Sequence, residues 1–191
     1  MRLMKIILGS KSPRRKELLA GLGIDFSIVD IDADESYPTT LQGGEIPIYI
    51  SRAKADAYKS HLKADELLIT ADTIVWLDGR VLGKPEDEAE AKAMVRLLSG
   101  HTHQVFTGVT LTLANGTQTS FVDTTDVSFR ELTEEEIDFY VMNFRPLDKA
   151  GAYGIQEWIG YAACTNLHGS YFNVMGLPTE KLYEALKPHI G

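Results

Sequence analysis

From Leu67 to Leu77 the chain runs through eleven residues with a single charge, Asp72, and then meets Asp78-Gly79. A bounded apolar run of this kind reads as a long strand. Asp-Gly is the dipeptide favoured by a type I′ turn, whose two central residues both take positive φ. The chain is therefore expected to double back here, with Arg80 to Leu82 returning beside the strand. An acid inside such a run loses its hydration and must recover it from a cation, a metal or several donors. The competing reading of Asp72 is a carboxylate bonded to backbone at a strand bend or bulge.

The rest of the chain alternates strands and helices at short intervals. Leu3 to Leu8 is a strand-length apolar run ending at Gly9, and Pro13 to Leu22 carries Leu18, Leu19 and Leu22 at helical spacing before Gly23. Phe26 to Ile31 reads as a second strand, followed by an acidic loop from Asp32 to Gly44 and a helix over Pro47 to Ser60. Pro85 to Leu98 has acids first, cations later and Met94, Leu97 and Leu98 as its buried stripe. Val105, Thr107, Val109, Leu111 and Leu113 share one strand face, and Asn115-Gly116 turns the chain into a partner strand reaching Phe129. Thr133 and Glu136 form a capping box for a helix presenting Ile137, Tyr140, Val141 and Phe144, and Pro178 opens a last helix ending near Lys187. Crossover and hairpin strands mixed with helices predict an α/β protein with a mixed, twisted sheet flanked by helices. No repeat, low-complexity tract or linker marks a boundary, so residues 1–191 read as a single domain, at most two fused lobes.

Composition narrows the function classes. In 191 residues there are 19 Lys and Arg against 27 Asp and Glu, a net charge of −8, which argues against nucleic acid or an anionic membrane as partner. The one cysteine, Cys164, allows no internal disulfide and has no local His partner, so it reads as packing. The apolar run before Lys11 is too short for a signal peptide, and a cytoplasmic location is the expectation. Hairpin strands and apolar helix faces admit a homodimer as well as a monomer.

Against this acidic background, Lys11, Arg14, Arg15 and Lys16 crowd the start of a helix, where the backbone already presents positive partial charge. Ser12 as cap and Pro13 in the first turn satisfy the local geometry, and the charges make most sense with a phosphate over the free N–H groups. The alternative is a solvated basic helix end. Neither a Walker A loop nor a Gly-x-Gly-x-x-Gly follows the first strand. Asp34 and Glu35 supply loop carboxylates suited to Mg²⁺ if they converge with Asp72. Lys54, on a helix face with Ile50, Ala57 and Tyr58, and Lys84, between Gly83 and Pro85, have the reach for phosphate; the bland readings are a snorkelling stem and an exposed turn residue. Asp148 to Gln156 joins glycines to polar groups, allowing backbone to approach a ligand. His101 and His103, placed for one strand face, lack a third soft ligand and read as structural or exposed.

Taken together, the segments Ser10 to Leu19, Ala71-Asp72-Thr73, Gly83-Lys84-Pro85, Asp148 to Gln156, and Gly169-Ser170-Tyr171 with Val174 to Pro178 resemble the Maf family of nucleoside triphosphate pyrophosphatases over nearly the whole chain. Gly9 departs from the Ala common there, and Asp34 beside Glu35 leaves open which acid ligates metal. The resemblance implies a fold similar to inosine triphosphate pyrophosphatases, with two lobes around a deep cleft. It implies Asp72 as catalytic proton acceptor, with Arg14, Thr73 and Gln156 governing base selection as in the branch acting on dTTP and UTP. Ser10, Arg14, Arg15, Lys54 and Lys84 are the expected phosphate contacts, and Asp72 with Glu35 the expected ligands of a divalent cation, Mg²⁺ or Mn²⁺. The expected reaction is metal-assisted water attack at the α-phosphorus, giving the nucleoside monophosphate and pyrophosphate, with nucleotide-pool cleaning as a role. The rivals are a nucleotide-binding regulator of cell division without turnover and a purine enzyme acting on 7-methyl-GTP or ITP.

Overall fold

In the computed structural model, which describes residues 3–190, the expected opening is β1 (Lys5–Gly9) followed by α1 (Pro13–Gly21). Ser12 caps α1, its hydroxyl accepting the Arg15 N–H, and Pro13 fills the first turn, where no intrahelical donor is needed. β2 (Phe26–Val29), α2 (Glu45–Tyr58), a 3₁₀ turn at Lys59–His61 and β3 (Glu66–Leu77) follow. β4 (Arg80–Leu82) returns antiparallel to β3 through Asp78 and Gly79, whose φ values of 49° and 79° are those of the expected turn. Then come α3 (Glu88–Leu98), β5 (Thr102–Leu113), β6 (Gln118–Phe129), α4 (Glu134–Phe144), a 3₁₀ turn at Ala150–Ala152, α5 (Trp158–Ala162), β7 (Cys164–His168), α6 (Tyr171–Met175) and α7 (Thr179–Ile190).

Several boundaries move for physical reasons. α3 starts at Glu88, because the Asp87 carboxylate caps it by accepting the Glu90 N–H, which leaves Pro85 outside the helix. The capping box of Thr133 and Glu136 forms as expected on α4, but Phe144 at its far end is exposed. α7 passes through Pro188 near its end. His101 lies just before β5 and bonds the Ser99 carbonyl, whereas His103 is buried, so the two do not share a strand face.

The strands fall in the order β2-β1-β3-β5-β6-β7, with β4 on β3. β1 is parallel to both β2 and β3, while β7 is antiparallel to β6, giving the mixed sheet anticipated from the alternation of crossovers and hairpins. The chain divides into two compact units: one runs to Thr73 and takes in Thr107–Asp123 and the chain from Gly176 onward, the other comprises Ile74–Phe106 and Thr124–Met175. Three of the four borders fall inside continuous strands, β3, β5 and β6, and the fourth follows α6 at Met175, so no linker composition marks them; residues 1, 2 and 191 of the 1–191 reading lie outside the described residues.

In the first unit Ile7, Leu68 and Ala55 pack with Val29, Ile31, Tyr58 and Leu62. α2 is seated on the sheet by a buried hydroxyl ladder. The Thr70 hydroxyl donates to the Ser51 carbonyl at 2.7 Å, Ser51 Oγ lies 2.8 Å from Thr110 Oγ1, and Thr110 Oγ1 lies 2.9 Å from Ser120 Oγ. Gly108 makes this approach possible: a Cβ there would sit 2.4 Å from the Pro47 carbonyl carbon. The second unit has its own core, centred on Val75, Leu98, Val127, Ile137, Tyr140 and Ile159.

Candidate active site

The seating of α2 decides where Lys54 goes. Ser51 accepts from Thr70, so one turn further along the helix and two residues further along β3 bring Lys54 Nζ to 3.2 Å from Asp72 Oδ1. The same ammonium donates to the Ala71 carbonyl at 3.3 Å and lies 3.0 Å from Glu35 Oε1. The Lys54 and Asp72 side chains are each 13% exposed, that of Glu35 59%. The acid stranded in the apolar run is thus met by a cation, and no bend or bulge is needed to satisfy it. Burial pushes the Asp72 carboxyl above its ordinary value; Lys54 and Arg15 oppose that shift and Glu35 adds to it.

Of the two loop acids, Glu35 reaches Lys54, while Asp34 accepts the Ser36 N–H at 2.9 Å in an exposed turn and lies below its ordinary value for that reason. Among the described residues no group of three or more His, Cys, Asp and Glu converges. Two carboxylates gathered on one ammonium nevertheless fit a hard divalent ion, because Mg²⁺ takes one or two protein carboxylates and fills its shell with water and substrate phosphate.

The cation cluster at α1 is less uniform than its sequence. Lys11 pairs with Asp30 at 2.8 Å on the surface. Arg15 turns inward, its Nε donating to the Gly176 carbonyl at 2.8 Å and its Nη2 to Thr73 Oγ1 at 3.0 Å. Thr73 Oγ1 also lies 2.9 Å from Thr107 Oγ1. Burial lowers the Arg15 guanidinium from its ordinary value, the Asp72 charge opposes this, and Arg14 adds to the lowering. Arg14 is half-buried on the first turn, and Ser10 Oγ accepts the Ser12 N–H at 3.2 Å. Arg14, Arg15, Asp72, Thr73, Lys54 and Glu35 all belong to the first unit. Thr107 and Gly176, which complete the Arg15 contacts, were read from the sequence as core face and motif; their partners lie far away in the chain.

In the second unit, Lys84 is exposed between β4 and α3, beside Gly83, whose carbonyl accepts the Gly151 N–H at 3.0 Å. The segment from Asp148 to Gln156 is held from several sides, and Gln156 Oε1 is buried without a hydrogen-bond partner. Cys164 is half-buried against the second core, and burial raises its thiol, consistent with a packing role.

The sequence profile of the Maf-like protein family matches residues 5–189, nearly the whole length described above. The chain belongs to the Maf family. Among its Maf relatives, a dTTP/UTP pyrophosphatase of Bacteroides thetaiotaomicron is 60% identical, covering 96% of this chain and 95% of the relative. One from Phocaeicola vulgatus is 57% identical over the same shares. One from Flavobacterium psychrophilum is 49% identical, covering 97% of this chain and 94% of its own. Among solved structures, the Staphylococcus aureus Ham1 protein has a TM-score of 0.49 at 18% identity, covering 95% of this chain and 99% of that one. Among the described residues no helix is long and apolar enough to cross a membrane.

Proposed function

We propose that this Maf protein hydrolyses dTTP and UTP to the nucleoside monophosphate and pyrophosphate. The observation that carries the reading is Asp72: a buried carboxyl raised above its ordinary value, held by Lys54, in a chain 60% identical to a dTTP/UTP pyrophosphatase. A raised carboxyl is a stronger proton acceptor near neutral pH than a solvated one.

Asp72 takes the proton of a water whose oxygen forms the new bond to the α-phosphorus, while the bond from that phosphorus to the bridging oxygen breaks and pyrophosphate leaves. Glu35 and Asp72 would hold a divalent cation, Mg²⁺ or Mn²⁺, whose charge neutralises triphosphate oxygens when bound. Lys54 keeps Asp72 compensated and, with Arg14, Arg15, Lys84 and the Ser10 loop, supplies positive charge and donors for the phosphates. Arg14, Thr73 and Gln156 select the base. Arg15 supports this selection by holding the Thr73 hydroxyl.

The test is to incubate the purified protein and Mg²⁺ with dTTP, UTP, CTP, ITP and 7-methyl-GTP while resolving pyrophosphate from orthophosphate. Pyrophosphate release fastest from dTTP and UTP is expected. Binding without turnover would make the chain a nucleotide-binding regulator, orthophosphate release would make it a phosphatase, and preference for ITP or 7-methyl-GTP would make it a purine enzyme.

A further inference from the structure

Beside Gln156 lies a charged network, buried at Lys149 and Tyr140 and open to solvent at Asp148, that the proposed reaction does not use. The Lys149 side chain is 11% exposed, with Nζ 3.1 Å from Glu157 Oε1 and 2.9 Å from Asp148 Oδ1. The other Glu157 oxygen accepts the Tyr140 hydroxyl at 2.5 Å. Tyr140 is fully buried on α4, and its hydroxyl oxygen in turn accepts the Gly154 N–H at 3.0 Å. One hydroxyl therefore holds both flanks of Gln156, the backbone two residues before it and the side chain one residue after it.

A side chain at Gly154 would crowd this arrangement, since a Cβ there would lie 3.0 Å from Glu157 Cδ and 3.1 Å from Lys149 Cε. Between them, Tyr153 is fixed independently: its hydroxyl lies 2.6 Å from His103 Nε2, and its ring packs edge-on to His103 and Phe129. Burial raises the Tyr140 hydroxyl far above its ordinary value, and the Glu157 bond adds to this, so it keeps its proton as a donor.

Gln156 Oε1 is buried and unpartnered, as is His103 Nδ1 behind Tyr153, but it is the one of the two on the segment that Tyr140 holds. Leaving such an acceptor without a donor is costly, because its hydration is lost and nothing replaces it. The arrangement persists because the backbone on either side is held, and the carboxamide stands ready for a donor brought by a ligand. Uracil and thymine carry an N–H at ring position 3, where cytosine carries a lone pair. An orphan acceptor therefore matches the first two bases and opposes the third.

We propose that Tyr140, acting through Glu157 and Gly154, is a positioning residue that sets the Gln156 carboxamide oxygen to accept the ring N–H of uracil or thymine. This rests on the assignment of Gln156 to base selection. Tyr140 touches no substrate, and its contribution lies in discrimination and binding rather than in the rate of the chemical step.

The experiment compares kcat and KM for UTP and CTP in the parent, Tyr140→Phe, Gln156→Ala and, as a destabilised control on the same helix, Ile137→Val. Tyr140→Phe is expected to raise KM for UTP about tenfold with kcat within about twofold, and to lower the UTP to CTP ratio of kcat/KM about tenfold, toward that of Gln156→Ala. Ile137→Val lowers Tm and leaves the ratio as in the parent. If Tyr140→Phe does not fold, Glu157→Gln, which weakens the link to Lys149 while keeping the volume, is expected to lower the ratio in the same direction. A ratio lost in Gln156→Ala but kept in Tyr140→Phe, or kept in Glu157→Gln where that variant stands in, overturns the positioning role alone. A ratio kept in Gln156→Ala as well overturns the assignment of Gln156, and the positioning role with it.

Discussion

Asp72 and Gln156 lie in different units and are held in opposite ways. Asp72 is compensated by the tip of one long side chain, Lys54, which also reaches the largely exposed Glu35. Gln156 is held by short, buried, mutually satisfied contacts among Lys149, Glu157, Tyr140 and Gly154, with its own amide oxygen left open. The Lys54–Glu35 pair, with Glu35 largely exposed, can rearrange when a charged ligand arrives, because the net strength of such a pair in water is small. Buried networks resist rearrangement, because each broken bond leaves a desolvated group behind. In the proposed reaction, that difference would give adaptable charge to the triphosphate and rigid shape to the base.

The largest effect expected from that contrast is at Asp72. Asp72→Asn should lower kcat for dTTP about 10³-fold with little change in KM, measured as pyrophosphate release, since a neutral amide cannot take the proton. A variant hydrolysing dTTP as fast as the parent would remove Asp72 from the chemistry. Next in size is Lys54→Met, expected to lower kcat/KM about 10²-fold. It takes away a charge that opposes the burial-driven rise of the Asp72 carboxyl, so that carboxyl moves further up and the acidic limb of the pH profile moves to higher pH. An unmoved limb would show that Lys54 does not govern Asp72.

On the rigid side, burial holds His103 down at about 4, against an ordinary 6.5. Between those values the unfolded chain binds the proton more readily than the folded one. The stabilisation is complete above 6.5 and is lost as pH falls toward 4. From pH 7 to pH 5 this amounts to about 2 kcal/mol, readable by urea unfolding and absent from the difference in His103→Phe. The smallest effect belongs to the surface. Arg130 and the capping box on α4 hold Glu136 down at about 2, so Glu136→Gln should lower stability at pH 7, with the gap to the parent closing as pH falls from 4.5 to 2. A gap unchanged across that range would make the contribution steric rather than ionic.

Much of the architecture was legible from neighbouring residues. The Asp78-Gly79 turn, the Ser12 and Thr133 caps and the hairpin at Asn115-Gly116 all follow from backbone geometry within a few positions. The start of α3 was misplaced because Pro85 and Asp87 are both good openers, and the carboxylate of Asp87 won the cap. The candidate site was legible as residue types, with Asp72 and the α1 cations standing out against an acidic, apolar background. Their pairings were not.

By itself, then, the order of residues determined the strands, helices, turns and caps, because these depend on periodicity and on bonds between groups a few residues apart. Only the tertiary structure decided that Arg15 turns inward to Gly176 and Thr73, that Glu35 rather than Asp34 meets Lys54, and that Tyr140 underlies Gln156. Those choices join groups up to 161 residues apart. They follow from how elements pack, since a long polar side chain turns to whichever partner the fold leaves within reach once water is excluded.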